Sequence, residues 1–221
     1  GWTPTDMVFP FFVFIAGVAI PFALGPRLER SGQADAVGRL VRRSAIIFGL
    51  GLLLQALPTF DWATLRIPGV LQRIAVCYLA AAFLFRWTAP NHGSDDTRRS
   101  AHGRTLLLWA AGLTLGYWGV MMLVPAPGGV AGDLTPEGNL GAHLDRTVFG
   151  RHLWAQSKTW DPEGLLSTVP ALATTLLGGV AGLWLGSRAP GGRKAMWMTG
   201  AGILAIGQQR QRPRRRSSAL G

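Results

Sequence analysis

The chain is poor in charge and in cysteine. Only 15% of its 221 residues are charged, and Cys77 is its single cysteine. One cysteine inside an apolar run can form neither an intrachain disulfide nor a cysteine-based metal cluster, so packing is its default role. Also absent are HExxH, the P-loop, GxGxxG and GxSxG, and with them any motif-level case for the chemistries those patterns carry. What the chain has in excess is apolar: 48% of residues, with nine Trp and thirty Gly. That composition fits a membrane protein better than a soluble domain.

Four runs approach the roughly 20 apolar helical residues that a bilayer core demands. They are Met7 to Leu24, Ile67 to Phe85, Thr105 to Val124 and Leu165 to Gly186. A fifth, Ser44 to Leu57, is short but lengthens if Arg39, Arg42 and Arg43 snorkel their heads to the interface. Ala195 to Gly207 begins a sixth and stops too soon. The expected fold is all-α: a polytopic transmembrane helical bundle of five full spans plus a truncated sixth, occupying residues 1–207. Residues 208–221 form an Arg-rich tail, disordered or the product of a shifted reading frame.

Loop charge orients the spans, because Lys and Arg concentrate on the cytoplasmic side. Pro26 to Arg43 carries five Arg against Glu29 and Asp35 and reads as inside. Pro58 to Arg66, with only Asp61 and Arg66 charged, reads as outside. Arg86 to Arg104 is basic and inside, Pro125 to Glu163 is acidic and outside, and Ser187 to Lys194 is basic and inside again. The alternation places the start of the chain outside.

Both ends break the pattern. Gly1 is not an initiator, no signal-peptide pattern precedes the first span, and "GWTPTD" reads like the middle of a loop, so an upstream part is expected to be missing. The tail "QQRQRPRRRSSALG" places five Arg where the alternation demands an external loop. Without them the formal charge of +11 falls to +6. No nucleic-acid partner is inferred from it.

One pair of polar residues stands out. In "LRIPGVLQRIAVCYL", Gln72 and Arg73 lie side by side in the third span, about 9 Å below the external surface. Arg at that depth is costly unless it faces the protein interior, a wet cavity or a partner, and functional placement is its default reading. The alternative is an Arg that only fixes helix packing. Carboxylates on the same side are Asp6, Asp61, Asp161 and Glu163. Thr159 or Asp161 could cap the fifth span, with Pro162 in its first turn and Glu163 favourable toward its N-terminal dipole. Gly178, Gly182 and Gly186 recur every fourth residue, as do Gly112 and Gly116, a spacing that lets helix backbones approach within a chain or between copies in a homo-oligomer.

The strings "GWTPTDMVFPFFVFIAGVAIPF", "LRIPGVLQRIAVCYL", "NLGAHLDRTVFGRHLW" and "WDPEGLLSTVPALATTLLG" resemble, in matching order, bacterial relatives of heparan-alpha-glucosaminide N-acetyltransferase. The resemblance implies a polytopic acyltransferase of the bacterial inner membrane. It would take acetyl-CoA from the cytosol as acyl donor and pass the acetyl group to the amine of an amino sugar on the far face. In that family a catalytic histidine lies just upstream of the "GWTPTD"-like motif, and no residue of this chain corresponds to it. His92 and His102 fall in the inner loop, His143 and His152 in the outer loop. The chain as it stands is therefore expected to be an inactive fragment.

Within that reading Asp6, Arg73 and Glu163 are the catalytic candidates, and Gln72, Asp161 and Arg66 are candidates for substrate contact. An amine attacks a thioester only when deprotonated, and the developing oxyanion needs donors. Arg73 and Gln72 supply donors; Asp6 and Glu163 orient a histidine or the amine. Trp154, Trp160, His143 and His152 could shape a sugar-binding surface, and Arg39, Arg42 and Arg43 could meet the phosphates of CoA. Two other classes compete: a transporter or flippase of a polar solute, and an anchor subunit without chemistry.

Overall fold

The computed structural model describes residues 8–30, 33–57, 60–90 and 94–187, together with 190–192, 194, 196, 199 and 200. The described residues form six helices and no strand: α1 (Val8–Arg30), α2 (Gln33–Ala56), α3 (Val70–Trp87), α4 (Asp95–Leu123), α5 (Leu140–Phe149) and α6 (Thr168–Leu185). Each of the five expected spans is represented by a helix. Three helices, Val70–Trp87, Asp96–Leu123 and Thr168–Leu185, are long and apolar enough to cross a membrane, and Val8–Leu24 is a shorter apolar helix. The expected sixth span falls largely outside the described residues, and the tail from 208 entirely so.

Helix boundaries differ from the expected loops for local reasons. The basic segment Pro26 to Arg43 is largely helical, since α1 continues to Arg30 and α2 starts at Gln33. α4 starts ten residues before its apolar run, where the Ser94 hydroxyl accepts the Thr97 N–H at 3.4 Å and caps the helix. Between α4 and α6 the outer segment contains α5, too short to span and amphipathic instead.

α6 is the hub, touching α1, α3 and α4, while α2 rests mainly on α3. Small residues explain how α1 comes so close. A Cβ on Gly178 would overlap the Phe14 carbonyl oxygen, one on Gly17 the Thr175 carbonyl oxygen, and one on Gly182 would lie 2.5 Å from the Val18 carbonyl oxygen. By contrast Gly112 and Gly116 of α4 meet nothing. The surrounding surface of α4 is apolar and open: Leu108 is 73% exposed, Leu115 66% and Leu123 76%. Such a face suits lipid, not water. The Thr114 and Thr175 hydroxyls are satisfied within their own helices, by the Ala110 carbonyl oxygen at 2.8 Å and that of Ala171 at 3.0 Å, as an apolar solvent requires, whereas the buried Ser44 hydroxyl of α2 has no partner among the described residues.

These elements belong to one compact unit, Gly1–Gly186; Ser187–Gly221 forms a second. In the second, Lys194 folds back so that its Nζ donates to the Ser187 carbonyl oxygen at 2.7 Å.

The segment between α4 and α6 is fastened to the bundle by backbone pairing and one buried acid. Ile67 N–H donates to the His152 carbonyl oxygen at 3.0 Å, and His152 Nδ1 returns a bond to the Leu65 carbonyl oxygen at 2.8 Å. A carbonyl only accepts, so that contact places the proton on Nδ1. Asp145 of α5 is 3% exposed, and its Oδ1 accepts the Leu165 N–H at 2.9 Å. A Cβ at Gly164 would collide with that carboxyl group. Burial pushes the Asp145 carboxyl above its ordinary pKa, against the opposing pull of backbone N–H groups at Leu165 and Asp161.

Two outcomes follow from this packing. Overpacking at a backbone contact costs about 1–3 kcal/mol, so Gly178→Leu should lower the thermal midpoint in detergent by several degrees while Gly112→Leu leaves it unchanged; equal effects would contradict the close α1–α6 approach. For Asp145 the folded state holds the proton more tightly than the unfolded chain, so stability falls as pH rises through the folded pKa and is recovered below the unfolded one. Thermal midpoints measured against pH should show Asp145→Asn, which keeps an acceptor but cannot ionise, flattening that slope. A slope identical to that of the unsubstituted protein would refute the assignment.

Candidate functional site

The last residues before α3 and the turn before α6 meet at one end of the bundle. Arg66 joins them. Its Nε donates to Asp161 Oδ2 at 2.9 Å and its Nη2 to Asp161 Oδ1 at 2.5 Å, while Nη2 also reaches Glu163 Oε2. The guanidinium carbon lies 5.9 Å from the Trp154 ring centre, and Trp154 meets Trp160 edge-on at 5.9 Å. Asp161, whose side chain is fully buried, accepts further from the backbone N–H groups of Trp154 and Glu163, each at 3.0 Å. Burial opposes the charge on Arg66, yet the two carboxylates outweigh it and raise its pKa. Removing one partner of such a buried pair costs about 3–5 kcal/mol, because the other charge is stranded.

Arg73, one turn into α3, is 8% exposed. Its Nη2 donates to the Pro162 carbonyl oxygen at 2.6 Å, to that of Gly164 at 3.4 Å and to the Ser167 hydroxyl. One face of the guanidinium covers Phe9 of α1 at 5.2 Å. These acceptors are all neutral. Among the described residues the only carboxylate ion pairs are those of Arg66, and Arg73 Nε has no hydrogen-bond partner. The positive charge of Arg73 is thus held in place without being neutralised by direct contact.

Beside it runs a cavity of about 420 Å³ between α2, α3, α5 and the start of α6. Phe48, Val76, Phe149, Val169 and Leu172 make its walls apolar; Gln72, Arg73, Glu163 and Thr168 supply polar groups. Gln72 is 3% exposed, and neither its Oε1 nor its Nε2 has a partner among the described residues. A cavity walled by apolar groups with a few convergent polar atoms is the ordinary form of a small-molecule site.

The fold therefore brings Arg66, Gln72, Arg73, Asp161 and Glu163 to one place, whereas Asp6 lies outside the described residues. Three expectations are corrected. Asp161 and Glu163 pair with Arg66 instead of Arg73, because Arg66 sits at the mouth of the span and reaches both, leaving Arg73 to the loop carbonyls. Asp61 stays local, its oxygens taken by the Ala63 N–H at 3.0 Å and the Thr64 hydroxyl at 2.6 Å. Those bonds, Thr64 first, also lower its pKa. Helix α6 begins only at Thr168, after Ser167, because residues 161–167 are spent on turns that present carbonyls to Arg73. His143 and His152 do not line the cavity. Three participants were not singled out from sequence: Asp145, Ser167 and Gln55. Gln55, a lone amide ending the apolar run "GLGLLLQA", carried the same signal as Gln72.

No family model matches the chain. Heparan-alpha-glucosaminide N-acetyltransferase of Homo sapiens is 29% identical to it over 217 aligned positions, covering 82% of this chain and 33% of the relative. The Mus musculus heparan-alpha-glucosaminide N-acetyltransferase is 30% identical with the same coverage. The chain thus spans about a third of the length of the curated relatives it matches. The motifs around Arg73 and Glu163 lie in a chain that, over most of its length, is related in sequence to the heparan-alpha-glucosaminide N-acetyltransferases.

Proposed function

We propose that the protein is a membrane acetyltransferase that moves an acetyl group from acetyl-CoA to the amine of an amino sugar, using the cavity beside Arg73. The observation that carries this reading is a guanidinium buried in a span, met among the described residues by neutral acceptors and with its Nε unpartnered, on a residue that lines an apolar cavity. Sequence kinship with N-acetyltransferases supports the reaction class.

In the reaction the amine nitrogen bonds to the thioester carbonyl carbon, the carbon–sulfur bond breaks, and the proton given up by the amine ends on the departing thiolate, which leaves as the CoA thiol. Arg73 Nε–H stabilises charge that develops on the carbonyl oxygen, a role that demands a donor fixed before the reaction begins. Its carbonyl and hydroxyl contacts provide that fixity. Glu163, at the cavity wall with one oxygen on Arg66, holds the acceptor amine; Asp6 is assigned the same task from its place in the sequence. Arg66 and Asp161 set the rim through which the sugar enters, and the Trp154 and Trp160 faces suit a sugar ring.

The exposed Arg39, Arg42 and Arg43 on the first turns of α2 would receive the donor's phosphates from the cytoplasmic side of a bacterial inner membrane, with the acceptor on the opposite face. The apolar walls exclude water, which would otherwise hydrolyse the thioester and screen Arg73.

The test is transfer of labelled acetyl from acetyl-CoA to glucosamine by the detergent-purified full-length gene product. Losing one preorganised oxyanion donor costs about 10²–10³ in rate. Arg73→Lys, which keeps charge but loses Nε and the fork, and Arg73→Met should both fall by that order while their thermal midpoints show a folded protein. Undiminished transfer by a folded Arg73→Met would remove Arg73 from the chemistry. If the unsubstituted full-length gene product acetylates no amino sugar, the acetyltransferase reading falls and transport of a polar solute takes its place.

A further inference from the structure

We propose that the acceptor amino sugar is carried on a lipid, whose aliphatic chain lies in the apolar part of the cavity beside Arg73. The inference rests on the acetyl-transfer reading for the sugar head; the chain site stands on the walls of the cavity. At about 420 Å³ the cavity belongs to the size class that holds a whole small molecule. An acetyl group, two carbons and an oxygen, would leave most of it empty.

The lining is divided along its length. Arg73 stands one turn into α3 and Glu163 in the turn before α6; beyond them Val76, Ala80, Val169, Leu172 and Phe48 continue the wall. From Arg73 to Ala80 the helix rises about 10 Å. Two polar groups also lie along that stretch, and both are spent within the protein. The Cys77 thiol donates to the Thr168 carbonyl oxygen at 3.8 Å, and the Thr168 hydroxyl to that of Gly164 at 2.9 Å. A pantetheine arm laid there would bury its amides without partners, which is costly. A hydrocarbon chain needs none.

The way in is from the bilayer. Val76 and Leu165 line the cavity and are themselves 46% and 44% exposed, so the cavity is not sealed. Val76 lies within a helix long and apolar enough to cross a membrane, and its exposed side therefore meets lipid. Lipid tails are as apolar as these walls. A chain that slides in from the leaflet gives up no hydrophobic stabilisation and supplies the dispersion contacts that an empty void forfeits. The ligand that fits a polar end and an apolar extension open to lipid is an amphiphile, and a free amino sugar is not one.

The full-length gene product in phosphatidylcholine nanodiscs tests this without detergent, whose alkyl chains would compete. The probe is dodecyl glucosaminide with a diazirine at the end of its chain. Adducts should fall between Val76 and Ala80 and between Val169 and Leu172. Excess unlabelled dodecyl glucosaminide should suppress them, and dodecyl glucoside, which lacks the amine, should not. Ala80→Phe puts a ring where the chain lies; with the head displaced, kcat/KM for acetyl transfer to dodecyl glucosaminide should fall about tenfold, while that for methyl glucosaminide stays unchanged. Labelling of the unsubstituted protein decides the matter should that variant not fold.

Adducts confined to other helices would overturn the proposal. So would equal suppression by dodecyl glucoside, which would assign the cavity to any membrane lipid, and stronger suppression by dodecanoyl-CoA than by acetyl-CoA, which would assign it to an acyl chain of the donor. The labelling needs no turnover. Amine-dependent labelling without acetyl transfer would leave the lipid site standing and overturn the transferase reading alone; transfer to methyl and dodecyl glucosaminide at equal kcat/KM, without such labelling, would overturn the lipid-borne acceptor alone.

Discussion

The clamp of Arg66 on Asp161 and Glu163 is the constraint on which the rest of the outer site depends. It ties the residues that lead into α3 to the turn that leads into α6, 95 positions apart in sequence for the Asp161 contact. With that turn fixed, the Pro162 and Gly164 carbonyl oxygens face α3 and hold Arg73. Asp145 pins the other end of the same turn through Leu165. Two arginines thus divide the work. Arg66 neutralises the acids, and Arg73, without an ion pair among the described residues, lines the cavity.

Solvent explains why such a division is needed. The bilayer offers no hydrogen bonds, so each polar group within a span must be met by the protein or by something the protein binds. The threonines of α4 and α6 comply through their own helices. Gln72, Gln55 Oε1, Arg73 Nε and the Ser44 hydroxyl do not; of these residues Gln72 and Arg73 line the cavity. Packing alone gives no reason for this: the α1–α6 contact is built from glycines and backbone, and the bundle's core cluster is aliphatic and aromatic.

Much of the fold was legible because a membrane imposes a length and a polarity on every crossing helix. All five apolar runs emerged as helices, and of the every-fourth-residue glycines Gly178 and Gly182 emerged as a close contact with α1, while Gly186 meets Arg99 of α4. The matching pair on α4, Gly112 and Gly116, has no neighbour; spacing alone does not say which helix face is used. The site was legible in its members and not in its pairings. Arg73 and Gln72 announce themselves by depth, Asp161 and Glu163 by their place before an apolar run. Which arginine meets which acid depends on the path of the chain between α5 and α6, where turns, not periodic patterns, decide the geometry. Asp145 escaped notice because one acid on a short amphipathic helix looks like solvated surface until the helix is seen to be docked.

The most direct measurement is photolabelling of the detergent-purified protein with an acyl-CoA whose acyl group carries a diazirine, followed by peptide mapping. If the acyl end of the donor enters the cavity beside Arg73, adducts will fall in the first three turns of α3, from Gln72 to Ala80, and between Leu165 and Leu172, and excess unlabelled acetyl-CoA will suppress them. Adducts confined to the basic turns around Arg39 to Arg43, or spread along the lipid face of α4, would contradict the account, because the acyl group would then never meet the buried guanidinium.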